Sequence, residues 1–563
     1  MQLGPTELRV YQGRGIVAGW RLTIQFADGP RRVDLLVDEW FPRSAPCAAL
    51  VDRPDFLTWP HVERDGVLCL LPGTAAVDPT NPAGAARVIL GSACELIKEC
   101  IAGSNADDFR QEFLSYWNWA LPEKSEVFYS LLSPAPPTRA IRVWNGKAFA
   151  LLADSDQGIS RWLANRRGEK EAPDSPSGGL FLWLDAALTP AEYPASGSAL
   201  LELVRRAGGI QVLDRLVKEN PSRIAIAFGA PTSNGPCLAV VSALRPLANT
   251  SPRGRSRNPV QDGFRPGKMP TEMLTQRYVT GGQIVRSPVE RVDGDWILGR
   301  NESARLERLR AARVVVLGCG SVGAPVALAL IQAGVSNMTL IDPDSLKWAN
   351  TTRHPLGASS VGRNKAEALA EHIRQNYPHV GDISPRPQRW QDVMRTTPDV
   401  FSTATLIVSA MGDWEAEGGL NEWHVASGRR LPVIYGWTEP FACAGHAVAI
   451  CQGGGCFNCG MDNFGSALST RTSWSTPTIH QEPACGASYQ PYGVVALGHI
   501  VSSIAGMALT HLTQNVSQSS AVVWSGDEEL LTACGGSWTA SPGTANSLVK
   551  RPWERRPDCP TCA

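Results

Sequence analysis

A short apolar strand that runs straight into a glycine turn and a helix leaves few folds open. Val314-Val315-Val316-Leu317 leads into Gly318-Cys319-Gly320-Ser321-Val322-Gly323, and Ala324-Pro325-Val326-Ala327 opens the helix. Gly318 permits the tight turn, Gly320 lets a phosphate approach the backbone, and Gly323 lets the helix pack closely on the strand. The helix N-terminus then offers amide donors and a positive dipole end to an anion. At the end of the next strand, Asp342 is placed for a ribose hydroxyl. Taken alone, this pattern says nucleotide, and a NAD-dependent dehydrogenase would show it too.

The surrounding segment has the alternation of a doubly wound parallel sheet. Arg313–Leu317, Met338–Ile341, Thr405–Ser409 and Pro432–Tyr435 are expected strands; Ala324–Gln332 and Lys365–Gln375 are expected helices. With roughly 150 residues per domain, 563 residues make two to four domains. The punctuation gives three. Residues 1–125 open with period-2 strands at Arg21–Phe26 and Arg32–Val37, followed by helical patterns at Ala86–Ile101 and Phe109–Trp119, which is a small α+β domain. Residues 126–270 are a mixed α/β linking region with strands at Gly179–Leu184, Ile224–Phe228 and Leu238–Leu244 and a helix at Ala199–Ala207. It closes with a Pro/Gly/Arg/Ser-rich stretch, Asn249 to Pro270, expected to be a flexible linker. Residues 271–563 carry the nucleotide motif.

Composition removes several classes of function. The 53 Lys+Arg balance 53 Asp+Glu, so there is no global positive field to hold a nucleic acid. Charge precedes any long apolar run at the N-terminus, and the apolar stretch Val494–Leu512 is interrupted by Gly498, His499 and Gly506. That stretch is expected to be a core helix, with no signal peptide and no membrane partner, in a cytoplasmic protein. Fourteen cysteines are then expected to be mostly reduced thiols.

Beyond Asp342 come the residues that set the chemistry. Asn350 and Arg353 follow closely, Lys365 opens the next helix, and Asp413 sits just past the strand ending at Ser409. Arginine and lysine suit a triphosphate whose charge develops as pyrophosphate leaves, and Asp413 suits Mg²⁺. A hydride-transfer site has no such need. Cys456/Cys459 and Cys559/Cys562 form two CxxC pairs, the donor set of a closed structural Zn²⁺ site. The gap between the pairs means that such an ion would staple the C-terminus to the domain. Between them Cys485, in a Gly/Pro-flanked loop ahead of a helix, is a candidate nucleophile toward an acyl-adenylate. Cys443, Cys451 and Cys534 fit as packing residues, Cys319 needs only a backbone role, and His354 and His480 fit as loop-structural.

These residues, Gly318–Gly323, Asp342, Asn350, Arg353, Lys365 and Asp413, resemble the adenylation site of the ubiquitin-activating superfamily, whose bacterial members include ThiF and MoeB. GCGSVG stands where many members have GxGGLG, a change at Ser321 that keeps the glycine skeleton. The resemblance implies ATP, Mg²⁺ and adenylation of a protein's free C-terminus, a homodimer, and a thioester at Cys485. Members also borrow an arginine from ahead of the glycine loop, for which Arg291 and Arg300 are the candidates. Far upstream, Trp59-Pro60-His61 through Leu68-Cys69-Leu70 resembles the ubiquitin-conjugating enzymes: Pro60 and Cys69 match their proline and acceptor cysteine. Trp59 replaces their histidine, and His61 stands where they have an oxyanion-stabilising asparagine; an imidazole N–H can donate to an oxyanion as an amide does, and could assist deprotonation of a lysine.

A conjugating domain followed by an adenylation domain resembles fusion proteins of bacterial antiphage operons of the CBASS type. The resemblance implies a partner that is a ubiquitin-like protein or a cGAS-like nucleotidyltransferase, and target-protein lysines. Two alternatives stand beside it: a ThiF/MoeB-like adenylyltransferase serving sulfur-carrier activation, and a non-catalytic nucleotide-binding scaffold.

Overall fold

The structure is a computed structural model, and it describes all residues except 71–76, 123, 168–174, 248, 251–255, 258–259, 266–267, 300–302, 482–487 and 540–544. Backbone contacts divide the chain into two units, residues 1–159 with 174–291 and residues 160–173 with 292–563.

In the first unit, strands Ile16–Phe26, Gly29–Asp38 and Cys47–Leu50 form a three-stranded antiparallel sheet. Its apolar face meets the helix Pro82–Ala102, which Asn81 caps by accepting the Gly84 N–H. Val33, Leu50, Ile89, Ala93 and Ile97 make that core. The pattern expected at Phe109–Trp119 is helical, as Asp108–Gln111 and Phe113–Trp119. Its burial is not within the N-terminal core: Phe113 and Trp117 pack with Leu182, Phe228 and Tyr278 of the following segment, and the Trp117 indole N–H donates to the Ser287 carbonyl at 3.1 Å. Helical period marks a buried face but not the neighbour it buries against.

That following segment is an eight-stranded mixed sheet. It contains the expected strands, as Ser177–Trp183, Arg223–Ala230 and Cys237–Leu244, with the helix Gly197–Arg206 against it. One boundary differs. Ile284–Ser287 pairs with Cys237–Leu244, Val289–Arg291 pairs with Phe128–Ser130, and helix Thr271–Gly281 buries Tyr278 and Val279 in the same core. The middle sheet therefore uses residues to Arg291, where the sequence placed its end at 270. The linker composition interrupts this sheet's chain without ending it.

In the second unit, eight strands lie in the spatial order Ile383–Arg386, Asn337–Ile341, Arg313–Leu317, Leu406–Ser409, Val433–Thr438, Ala444–Ile450, Ser520–Ser525 and Ser547–Pro552. The first five are parallel and the last three antiparallel. Chain order reverses between Arg313–Leu317 and Leu406–Ser409, so a crevice opens at their carboxyl ends, where ligands bind in open α/β sheets.

The apolar helix, Val494–Thr513, is long and apolar enough to cross a membrane by length and composition. It instead lays Leu497, Ile500, Ile504 and Ala508 into the core of the sheet. The fit is close because two strands carry glycine beneath it: a Cβ on Gly436 or Gly445 would stand 2.2 Å from Ile504 or Ile500. Ile504→Ala should therefore cost about 2–5 kcal/mol. A lower urea midpoint with an unchanged slope would be the expected result.

Candidate functional sites

The glycine loop is sterically constrained at two of its three glycines. Gly318 has φ +85°, and a Cβ there would stand 2.6 Å from the Ala410 carbonyl oxygen. A Cβ built on Gly320 would meet nothing within 4 Å, so the space on that side of the residue is open. At Gly323 a Cβ would lie 1.8 Å from the Gly318 oxygen, which only a glycine avoids. One residue of this loop is held from both sides. Asp342 accepts the Cys319 N–H at 2.7 Å and the Asp344 N–H at 2.8 Å, while His354 Nε2 lies 2.8 Å from the Cys319 carbonyl oxygen. The Leu356 N–H donates to His354 Nδ1, so Nε2 carries the ring proton and donates. Burial raises the Asp342 carboxyl above the usual carboxylate range and lowers the His354 imidazole. His354 is thus loop-structural, as expected, and Asp342 fixes the loop from the other side.

Both cations have partners within the second unit. Lys365 opens helix Lys365–Asn376, whose cap Asn364 also donates to the carbonyls of Asp342 and Asp344; its ammonium lies 3.0 Å from Asp344. Arg353 stacks its guanidinium 5.0 Å from the Tyr492 ring centroid and donates to the Ala349 carbonyl. Asn350 caps its own short turn by accepting the Lys347 N–H at 3.0 Å. Tyr492, which sequence reasoning missed, also shares a 2.5 Å hydrogen bond with Ser321 inside the glycine loop. Arg291 lies on a strand of the first unit, and Arg300 falls outside the described residues.

Beside the loop a cavity of about 440 Å³ is lined by Gly320, Ser321, Gly412, Trp414, Trp437 and Tyr492, among others. Asp413, between the lining residues Gly412 and Trp414 in sequence, caps helix Trp414–Ala426 by accepting the Ala416 N–H at 2.8 Å. The cavity also exposes a carboxyl that no motif announced. Glu417, 7% exposed, accepts a 2.8 Å hydrogen bond from Ser409 and is pushed up to about 7, chiefly by burial.

Four sulfurs form the third feature of this unit. Cys456, Cys459, Cys559 and Cys562 place their sulfurs all within 4.8 Å of one another, with contacts of 3.4 to 3.9 Å. Tetrahedral thiolates about 2.3 Å from one ion would stand at such separations. Asn421 donates to the Cys456 sulfur at 3.5 Å, and Trp553 to the Cys456 carbonyl at 2.8 Å, so the surrounding fold orients the first pair. Cys485 lies outside the described residues; a two-residue pairing of His480–Gln481 with Ser488–Tyr489 flanks its segment.

In the first unit, Cys69 and His61 face each other across a hairpin. The Cys69 N–H donates to the His61 carbonyl, Val62 bridges Leu68, and the Glu63 N–H donates to the Val67 carbonyl, around a turn with Gly66 at φ +90°. Directly opposed residues share one face, and Val62 and Leu68 take the buried one. Cys69 is exposed. His61 has a left-handed φ of +59°, sparsely populated by residues with a Cβ and held here by the hairpin. Its Nε2 lies 3.0 Å from Asp108 and its Nδ1 3.6 Å from Glu112. A hydrogen bond with the Cys69 side chain, joined by Asp108 and Glu112, raises the imidazole to about 9 against the effect of burial.

Comparison with known families settles the two regions. Residues 296–559 match the ThiF family and residues 4–125 match prokaryotic E2 family B. The chain joins a ThiF domain to a prokaryotic E2-type domain. ATP-dependent ubiquitin transferase-like protein Cap2 of Enterobacter hormaechei subsp. hoffmannii is 34% identical over 119 residues, 20% of each chain. The protein of that name from Pseudomonas aeruginosa is 23% identical over 401 residues, 64% of this chain and 65% of that one. Adenylyltransferase and sulfurtransferase uba4 of Aspergillus clavatus is 32% identical over 142 residues, 25% and 26% of the two chains. This chain thus spans a fifth to about two thirds of the length of these relatives. The ThiF domain accounts for the Rossmann-type half and its glycine loop, and the E2-type domain for the hairpin that presents Cys69.

The buried carboxyl gives a pH signature. Glu417, whose folded value near 7 exceeds the ordinary carboxylate value, costs stability progressively as pH rises from about 4.5 through about 7. Glu417→Gln should remove that slope, so thermal unfolding at pH 8.5 should favour the variant more than at pH 4.5.

Proposed function

We propose that this protein activates the C-terminal carboxylate of a partner protein with ATP and ligates it to amines through thioesters. The observation that carries this reading is the pairing, in one chain, of a glycine-loop crevice with an exposed cysteine opposite a histidine. Neither a dehydrogenase nor a sulfur-carrier activator has use for the second element.

In this reading the nucleotide lies over Gly318–Gly323 with its ribose toward Asp342, and the partner's tail enters the cavity bounded by Trp414, Trp437 and Tyr492. Arg353, Lys365 and Asn350 hold the phosphates. The residues at hand fit Mg²⁺, since Asp413 has a carboxylate oxygen beyond the one used as cap; the ion would supply charge neutralisation at the phosphates. The tail carboxylate oxygen attacks the α-phosphorus, pyrophosphate leaves, and the acyl-adenylate passes its acyl group to Cys485. Cys69 then takes it by transthioesterification and a lysine amine takes it from Cys69. His61, protonated near neutral pH, donates to the oxyanion of the tetrahedral intermediate.

The four-cysteine group fits Zn²⁺ in a closed site with no open position, so its part is structural. The order of the domains and the relatives named Cap2 favour a cytoplasmic CBASS role, with a cGAS-like nucleotidyltransferase or a ubiquitin-like protein as the activated partner and a homodimer as the working form. Nucleic acid and membrane have no place in the reading.

The test is a non-reducing gel with ATP, Mg²⁺ and a protein encoded by a neighbouring gene. Wild type should give adducts that reductant removes, Cys485→Ala should give none at Cys69, and Cys69→Ala should retain only the Cys485 adduct. Adducts indifferent to both substitutions would overturn the relay. For the metal, purified wild type should carry about one zinc per chain by elemental analysis, and Cys459→Ser with Cys562→Ser should lose it and unfold at lower temperature.

A further inference from the structure

The four-sulfur group and the cavity beside the glycine loop share one stretch of chain. Cys456 opens the first sulfur pair, and Phe457, Met461, Gly465 and Ala467, which follow it, line the cavity. Phe457 stands between two of the sulfur-bearing residues, Cys456 and Cys459. Its ring stacks on Tyr435 with centroids 3.9 Å apart and meets Trp437 at 5.9 Å and Trp414 at 6.5 Å. Both tryptophans line the same cavity, Trp437 from the strand Val433–Thr438 and Trp414 from the helix Trp414–Ala426. Trp414 also covers Gly465, where a Cβ would stand 2.4 Å from the indole.

One buried amide joins the sulfurs to that aromatic wall. The Asn421 side chain donates to the Cys456 sulfur at 3.5 Å and accepts the Phe457 N–H at 2.9 Å. A side-chain amide has both a donor and an acceptor to offer. Here one end meets the sulfur and the other fixes the residue that follows it. The C-terminal segment ties the same stretch again. Asn458 donates to the Thr561 hydroxyl at 2.8 Å, and Arg556 donates to the Met461 carbonyl at 2.9 Å.

We propose that the four-cysteine group builds one wall of the cavity through Phe457 and Met461, so that metal occupancy sets how tightly an apolar residue of the partner's tail is held. The inference rests on the reading of this cavity as the place where the tail enters. An ion among the sulfurs would fix Cys456, and with it the Asn421 amide and the Phe457 ring, as groups around a metal site and its ligands fix one another. Phe457, Met461, Trp414 and Trp437 bury apolar surface, and an apolar side chain gains most from such a wall. Phe457 and Met461 touch the tail in this arrangement, and Asn421 is a positioning residue. The glycine loop is held by other means. Gly318 lies against Ala410, Gly323 against the Gly318 carbonyl, and Cys319 between Asp342 and His354. Metal loss therefore loosens the hold on the tail and leaves the nucleotide's loop in place.

The first test needs neither ATP nor a partner. The full chain is stripped of metal with a chelator, and its amide hydrogen exchange is compared with that of the zinc-loaded protein. Exchange should quicken at residues 461–469 and 414–420, which carry the cavity wall, and stay unchanged in the helix Gly323–Gln332. Asn421→Ala, with all four sulfurs intact and zinc retained, should quicken the same two segments. Changes confined to residues 453–460 and 553–563 in both samples would overturn the proposal, because the group would then shape only itself. The second test is the gel with ATP and the neighbouring gene's protein. Phe457→Leu should need about tenfold more partner for half of the adduct, with its ATP requirement within about twofold of wild type. An unchanged partner requirement would also overturn the proposal. A wild-type chain that forms no adduct would instead remove the tail reading, while the exchange measurements would still decide whether the metal group shapes the cavity.

Discussion

The C-terminal half depends on one close approach, the first turn of the helix Gly323–Gln332 against the Gly318 carbonyl. Any side chain at Gly323 would have to displace that oxygen, and with it the turn that aims the helix N-terminus into the crevice. Asp342 and His354 then clamp Cys319, one by its N–H and the other by its carbonyl. Both are buried and both are satisfied, which is how polar groups are kept in an interior without a large penalty. The loop is thus held in shape by the fold itself.

The cations are organised by the opposite rule. Lys365 rests on Asp344, whose side chain is 69% exposed, and Arg353 rests on the Tyr492 ring. The Lys365 side chain is itself only 13% exposed, so this pair is half in and half out of solvent. The balanced charge of the whole chain makes such local arrangement necessary, because no overall field assists it.

Sequence pattern revealed whatever depends on neighbours along the chain. Buried β-branched runs gave the parallel strands, spacing gave the glycine loop, and paired CxxC motifs gave the four-sulfur group, because each of these is local or repeats one ligand chemistry. Contacts between distant residues left no such mark. Tyr492 reaches Ser321, Asp108 reaches His61, and Glu417 gains its environment only when the strand ending at Ser409 is laid beside the glycine loop. The boundary error has the same origin: Tyr278 is a helical apolar residue in any reading, and only the pairing of Ile284–Ser287 with Cys237–Leu244 assigns it to the middle core.

The E2-type hairpin shows how little register freedom such a site tolerates. The N–H of Cys69 meets the carbonyl of His61, and slipping the pairing by one residue would turn both side chains to the face occupied by Val62 and Leu68. Gly66 prevents the slip, since a Cβ there would lie 2.4 Å from the Leu50 carbonyl oxygen that accompanies the docking of the turn onto the sheet. Arg14 ties the same turn from outside through Glu63 and Asp65. With the register fixed, the exchange of an amide for an imidazole at residue 61 brings in a group that can change its charge. The Cys69 side chain first, then Asp108 and Glu112, favour the charged form of that ring, and burial opposes it.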